Sequence, residues 1–128
     1  MVNKKLLLVE DSEPLRNVLA EKLADEHFDV LTAGGGEEGI KIAQEQKPDI
    51  IITDIVMFPV DGLEMAKRIR ESGEWGEKVR IIALTNQNSS EEEKRLASLR
   101  LDAYLVKAET SLDGVVSLVK NIFTHKNA

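Results

Sequence analysis

At positions 49 to 54 the sequence reads Asp49-Ile-Ile-Ile-Thr-Asp54, in which three consecutive isoleucines lead towards a carboxylate. A short run of β-branched apolar residues predicts a strand, here over residues 49–53, in the interior of a sheet. The run over residues 5–9 is almost wholly apolar as well, and Glu10-Asp11 follows it. The sequence therefore indicates two buried strands that each lead into acidic side chains.

Strand and helix patterns alternate five times along the chain. The predicted strands cover residues 5–9, 28–33, 49–53, 79–84 and 103–106. The predicted helices begin after Ser12, cover residues 37–46 and 62–72, begin at Ser89 or Ser90, and begin after Ser111. This alternation is typical of the α/β class with a doubly wound, five-stranded parallel sheet. Residues 73–76, which include Trp75, are predicted to form a loop with partial packing.

Length and composition exclude several classes of protein. A chain of 128 residues is predicted to form a single domain over residues 1–128, with no output domain after it. It has no cysteine and only His27 and His125, which excludes disulfides, thiolate zinc sites and multi-histidine metal sites. The net charge of −6 argues against direct binding to nucleic acid or to a membrane surface. The absence of a signal peptide, a membrane-spanning stretch and cysteine predicts a cytoplasmic location.

Polar side chains stand where four of the predicted strands end. Glu10 and Asp11 follow the first strand, Asp54 the third, Thr85 the fourth and Lys107 the fifth. Parallel strands of such a sheet direct their carboxyl ends towards one crevice, where ligands bind. Three carboxylates in one crevice repel one another unless a cation joins them, and hard oxygen ligands favour Mg²⁺, or Mn²⁺, over zinc.

This set of side chains also suits phosphoryl transfer. A carboxylate such as Asp54 can act as the nucleophile and form an aspartyl phosphate. Phosphoryl transfer depends on positioning and charge neutralisation, which Lys107 and the metal would supply, while Thr85 would donate a hydrogen bond. The predicted catalytic residues are therefore Asp54, Lys107 and Thr85.

The same residues resemble the site of response-regulator receiver domains, of the stand-alone type, in two-component signalling. The resemblance rests on the acidic pair Glu10-Asp11, the phosphoacceptor Asp54, the hydroxyl of Thr85 and Lys107, and Asp61-Gly62 also fits the family pattern. It extends over essentially the whole chain. It implies a flavodoxin-like (βα)5 fold with strand order 2-1-3-4-5.

The resemblance also implies a role for further residues. It implies that Mg²⁺ is held by Asp11, Asp54 and the backbone carbonyl of Val56, with Glu10 acting through water. Tyr104 is expected to rotate together with Thr85 when Asp54 is phosphorylated, so that these two residues form the switch.

The partners implied by the resemblance are proteins. The phosphoryl donor would be a histidine kinase or a histidine phosphotransfer protein, and a downstream protein of unknown identity would receive the signal. The expected chain is a monomer or a weak dimer, with output through the predicted fourth helix, fifth strand and fifth helix. Its only expected catalysis is self-phosphorylation and slow autodephosphorylation.

Two alternatives remain open at this point. The first is an interaction module of the same fold that no longer depends on phosphorylation. The second is a dinucleotide-binding α/β protein, because Gly34-Gly-Gly-Glu-Glu-Gly39 matches the G-x-G-x-x-G fingerprint between a strand and a helix. Against the second stands the strand at 28–33, which looks like a polar edge strand, whereas the fingerprint normally follows a central strand.

The chain departs from the family pattern at three positions. Phe58 stands where proline is usual, with proline one residue later at Pro59, and Asn86 stands where a small residue is usual. Ala108 replaces the proline that usually follows the lysine. The resemblance implies a cis bond before that proline, which helps to aim the lysine into the pocket, whereas a cis bond before a non-proline residue costs roughly 3 kcal/mol. The Lys107–Ala108 bond is therefore predicted to be trans, with Lys107 less firmly placed as a consequence.

Overall fold

Five parallel strands form one sheet at the centre of the protein, in a computed structural model that describes residues 3–86 and 98–124. The strands are β1 (Lys5–Val9), β2 (Asp29–Ala33), β3 (Ile50–Asp54), β4 (Arg80–Thr85) and β5 (Ala103–Val106). The helices are α1 (Glu13–Asp25), α2 (Gly36–Gln46), α3 (Gly62–Arg70), α4 (Glu74–Lys78) and α5 (Leu112–Thr124), and a 3₁₀ turn over Lys107–Glu109 follows β5.

The strand order is β2-β1-β3-β4-β5, and every pairing is parallel. The fold class predicted from the sequence and the strand order implied by the family resemblance are therefore both confirmed. Because all five strands run in the same direction, their carboxyl ends lie at one edge of the sheet. That edge carries the side chains singled out above.

Side chains from the two faces of the sheet form two separate apolar clusters. Leu7, Val9 and Ile51 belong to one cluster, which includes buried side chains from α2 and α3. Leu6 and Leu8 belong to the other, with buried side chains from α1 and α5. Successive strand residues point to opposite faces, so an unbroken apolar run such as residues 6–9 is needed to fill both clusters. The central strands are thereby fixed in register on both sides.

A buried arginine joins three segments at the end of the molecule opposite the polar edge. Arg70 is 7% exposed, and its guanidinium donates hydrogen bonds to the backbone carbonyls of Gly76, Glu77, Val79, Leu99 and Arg100. Burial lowers the pKa of Arg70 from its usual value, although Asp102 opposes that shift. These bonds tie α3 to the end of α4 and to the residues just before β5.

Helix α4 was not predicted from the sequence, and another predicted helix lies outside the described residues. The prediction of a loop around Trp75 is wrong, because residues 74–78 form the short helix α4. The Trp75 indole nitrogen donates to the carbonyl of Pro48 at 3.0 Å, which fastens α4 beside the start of β3. The predicted fourth helix, beginning at Ser89 or Ser90, lies outside the described residues. Among the helices that are described, none is long and apolar enough to cross a membrane.

Candidate functional site

Asp54 is the last residue of β3 and lies at the polar edge of the sheet with only 3% of its surface exposed. The chain turns sharply after it, and Gly62 donates from its backbone nitrogen to the carbonyl of Ile55 at 2.8 Å. A side chain at Gly62 would collide with the backbone carbonyl of Asp54, so only glycine lets α3 begin this close to the strand. Asp61 caps α3 by accepting from the backbone nitrogen of Glu64 at 2.7 Å. The pair Asp61-Gly62 thus serves the turn that places Asp54.

Three carboxylates converge at this edge. Glu10, Asp11 and Asp54 each contribute one carboxylate oxygen, and these oxygens all lie within 4.8 Å of one another. Glu10 and Asp54 are buried, whereas Asp11 is exposed. Oδ1 of Asp54 is buried and has no hydrogen-bond partner among the described residues. Buried polar atoms normally have partners, so an unpaired carboxylate oxygen within a cluster of acids fits a site for a hard cation such as Mg²⁺.

Lys107 supplies the positive charge of the site. Its ammonium nitrogen lies 2.9 Å from Oε1 of Glu10 and 3.1 Å from Oδ2 of Asp54. Burial lowers the pKa of Lys107, but the hydrogen bonds to Glu10 and then Asp54 raise it by more, and the net pKa is above the ordinary lysine value. The ammonium is therefore charged at neutral pH and is shared between two buried carboxylates.

The link after β5 places this ammonium without a cis bond. The Lys107–Ala108 peptide bond is trans, as predicted. Within residues 3–86 and 98–124, the cis bond is Phe58–Pro59. The 3₁₀ turn over residues 107–109 brings the Lys107 side chain to Glu10 and Asp54. That the ammonium is less firmly placed than in the family stays a prediction.

Two further contacts hold Glu10 in place, and neither was predicted from the sequence. The second carboxylate oxygen of Glu10 accepts from the backbone nitrogen of Ser12 at 3.0 Å. Arg16 donates from its guanidinium to the backbone carbonyl of Glu10 at 2.9 Å. The available signal was a basic residue in the first turns of the helix that follows the acidic pair. Glu10 is thereby fixed through both its side chain and its backbone.

Thr85 and Tyr104 lie on the neighbouring strands β4 and β5. Thr85 ends β4 and is 1% exposed, and its register partner on β5 is Val106. Tyr104 lies two residues earlier on β5, half-buried against a small cluster that includes Ile55 and Leu63. The structure thus places Thr85 at the carboxyl edge that carries Asp54, and Tyr104 on the adjacent strand opposite Ala83.

The loop between β3 and α3 presents apolar side chains to solvent. Val56 is 51% exposed and Phe58 is 87% exposed, both within four residues of Asp54. Asn86, directly after Thr85, is exposed as well. Two positions at which the chain departs from the family pattern, Phe58 and Asn86, are therefore exposed in the segments that follow Asp54 and Thr85.

The glycine fingerprint is explained by packing. A side chain at Gly36 would collide with the backbone carbonyl of Val60, and a Cβ at Gly39 would lie 2.8 Å from the sulfur of Met65 and 3.0 Å from a methyl group of Val9. The preceding strand, β2, is an edge strand, as the sequence indicated. These glycines allow α2 to pack closely, so the dinucleotide reading has no structural support at this position.

Comparison with known proteins adds an independent line of evidence. A family model described as the response regulator receiver domain matches residues 6–119. The chain is 34% identical over 108 residues to the alkaline phosphatase synthesis transcriptional regulatory protein PhoP of Bacillus subtilis (strain 168), covering 83% of this chain and 43% of that protein. It is 39% identical over 83 residues to the transcriptional regulatory protein AfsQ1 of Streptomyces coelicolor, covering 65% of this chain and 35% of that protein. The chain thus spans less than half the length of these curated relatives.

Solved structures share the whole fold. The chemotaxis protein CheY4 of Vibrio cholerae superimposes with a TM-score of 0.87 at 26% identity, covering 94% of this chain and 99% of that one. A response regulator receiver protein from Pseudomonas putida gives a TM-score of 0.85 at 26% identity, covering 94% and 98%.

Proposed function

Since the chain belongs to the response regulator receiver domain family, we propose that it accepts a phosphoryl group on Asp54 in a Mg²⁺-dependent reaction. The donor would be the phosphohistidine of a histidine kinase or a histidine phosphotransfer protein. The observation that carries this proposal is the state of the Asp54 carboxylate. One of its oxygens is buried without a partner in the described part of the chain, and the other is held 3.1 Å from Lys107. One oxygen is thus open to a cation, and the other lies beside the ammonium that would neutralise a phosphoryl group.

Each residue of the site has a definite part in the transfer. An oxygen of Asp54 forms the new P–O bond while the P–N bond to the donor imidazole breaks, and the imidazole nitrogen keeps that electron pair. Glu10, Asp11, Asp54 and the carbonyl of Val56 would hold Mg²⁺, which supplies neutralising charge for the phosphoryl oxygens. The Lys107 ammonium passes from its carboxylate partners to a phosphoryl oxygen. Thr85 donates its hydroxyl hydrogen to another phosphoryl oxygen.

The proposed signal is a change at the strands that carry Thr85 and Tyr104. Movement of Thr85 towards the phosphoryl group would free space beside Ala83, the register partner of Tyr104 on β4. Tyr104 is half-buried, and its rotation would alter the surface that β5 and α5 present to a downstream protein or to a second copy of the chain. The lack of cysteine suits a reducing compartment, and we place the protein in the cytoplasm.

A mass measurement tests the phosphoacceptor. Incubation with acetyl phosphate and Mg²⁺ is expected to add one phosphoryl group to the parent chain and none to Asp54→Asn. Asp25→Asn, at the exposed end of α1, is the matched control and should be phosphorylated like the parent. A phosphoryl group that is still gained by Asp54→Asn contradicts the assignment. A parent chain that gains none, while it binds its partners, would favour the phosphorylation-independent module.

A further inference from the structure

The Lys107 side chain, which contacts Asp54, also lines a separate cavity. The cavity has a volume of about 200 Å³ and lies between α1, β4 and the start of α5. Its apolar lining comes from Leu15, Leu19, Leu84, Leu112 and Val115. Lys107 and Thr110, from the link between β5 and α5, complete the wall.

The chemistry of this lining selects a neutral apolar occupant. A buried water needs two to four polar partners, whereas five of the seven lining residues offer only hydrocarbon side chains. The ammonium of Lys107 is already paired with Glu10 and Asp54, so it is not available to attract an anion. An apolar cavity of about 150 Å³ lined by similar side chains stays dry and takes up benzene.

The volume of the cavity limits how much of a ligand it can enclose. Pockets for drug-sized molecules have volumes of roughly 300–1,000 Å³. A cavity of about 200 Å³ is therefore too small to enclose a nucleotide or a segment of polypeptide, but it can enclose one aromatic ring or a short branched hydrocarbon. These two limits, on charge and on volume, define one class of ligand.

We propose that this cavity is a binding site for a small, neutral, apolar molecule of about the size of one aromatic ring. Such a ligand contacts Lys107, the same side chain whose ammonium lies 2.9 Å from Glu10 and 3.1 Å from Asp54. Leu84, in the cavity wall, directly precedes Thr85 on β4. The site goes beyond the proposed phosphorylation and does not depend on it.

Benzene is the probe for this site, titrated into the full chain without Mg²⁺ or a phosphoryl donor. Saturable NMR shifts are expected at the methyl groups that line the cavity and at the side-chain methylenes of Lys107. Leu15→Trp should weaken benzene binding at least tenfold, because Leu15 is half-buried and a larger ring there can enter the cavity. Val18→Trp is the matched control, since Val18 lies on the same helix, is 46% exposed and does not line the cavity.

A size series keeps the test valid if Leu15→Trp does not fold. Biphenyl, with two rings, should give no saturable shifts in the parent chain under conditions in which benzene does. The proposal is overturned if benzene gives no saturable shifts, if biphenyl binds equally well, or if folded Leu15→Trp binds benzene like the control. Shifts at the cavity methyl groups without any at Lys107 would contradict the claim that the ligand contacts Lys107.

Discussion

Replacement of Lys107 by methionine tests how far this side chain stabilises the fold by pairing with Glu10 and Asp54. It also tests whether Lys107 competes with Mg²⁺ for these carboxylates. Methionine keeps much of the apolar length and removes the charge. In the parent chain the ammonium bridges Glu10 and Asp54, whose side chains are 1% and 4% exposed. Removal of one partner from a buried ion pair costs about 3–5 kcal/mol. Because Lys107 is 22% exposed and water can reach part of the site, we expect a loss near the low end, about 3 kcal/mol.

Magnesium should restore much of that loss. Without the ammonium, the carboxylates lack their nearest cationic partner, so Mg²⁺ binds without displacing one and its affinity should rise. Mg²⁺ at 100 times its dissociation constant stabilises a folded protein by about 2.7 kcal/mol. Tighter binding in Lys107→Met therefore means a larger Mg²⁺-dependent increase in unfolding free energy than in the parent, at equal concentrations of Mg²⁺.

The pH dependence carries a definite sign. The pKa of Lys107 in the folded chain lies above its ordinary value of 10.5. A group with a raised pKa contributes stability that is fully present below its unfolded pKa and is lost as the pH rises through its folded pKa. The difference in unfolding free energy between parent and Lys107→Met should therefore stay constant from neutral pH to about pH 10 and shrink above it.

The assay is urea unfolding at several pH values, with either Mg²⁺ or a chelator present. Lys22→Met is the control, because Lys22 pairs with Asp113 at the surface, where such pairs contribute about 0–1 kcal/mol. The reasoning is refuted if chelator-treated Lys107→Met is as stable as the parent. It is also refuted if Mg²⁺ stabilises the variant less than the parent.

Three further results are expected. Asp11→Asn should weaken Mg²⁺ binding, measured by calorimetry. The stability of the metal-free variant should equal or exceed that of the parent, because one source of repulsion is gone, and a much less stable variant would make Asp11 a structural residue. Arg70→Met should lower the unfolding free energy in urea by at least about 3 kcal/mol, since buried carbonyls lose their donors, whereas exposed Arg68→Met should change it little; equal effects would contradict the bonding described. Gly36→Ala should lower the melting temperature more than Gly39→Ala, because the first meets a backbone carbonyl and the second mainly a flexible methionine sulfur; the opposite order would contradict the packing account.

The sheet could be predicted from the sequence because both the apolar runs and the family resemblance indicate its strands. Residues 6–9 and 50–52 are short apolar runs without interruption, as expected of strands buried on both faces. The strand order came from the family resemblance and is confirmed. Helix α4 was missed because five residues make little more than one turn, too short for a helical period, and Gly73 and Gly76 favour a loop. Its stability depends on tertiary contacts with Arg70 and Pro48.

The positions of the site residues were predictable, but their pairing was not. Strand ends alone indicated that Glu10, Asp54 and Lys107 would meet at one edge, and the structure brings them together. The choice of carboxylate oxygens that the Lys107 ammonium contacts depends on the 3₁₀ turn at residues 107–109, and no clear sequence pattern predicts that turn. The hydrogen bonds from Ser12 and Arg16 to Glu10 were also missed, because they depend on the geometry of the connection between β1 and α1.

The hydrogen bond from Trp75 to Pro48 has a practical consequence for spectroscopy. Trp75 is the single tryptophan of the chain, and it is fastened beside the start of β3, whereas Asp54 ends that strand. Four steps along a strand span about 13 Å. The indole fluorescence should therefore change strongly when the chain unfolds and little when Mg²⁺ or a phosphoryl group enters the site. The protein thus carries an intrinsic fluorophore that reports folding separately from signalling.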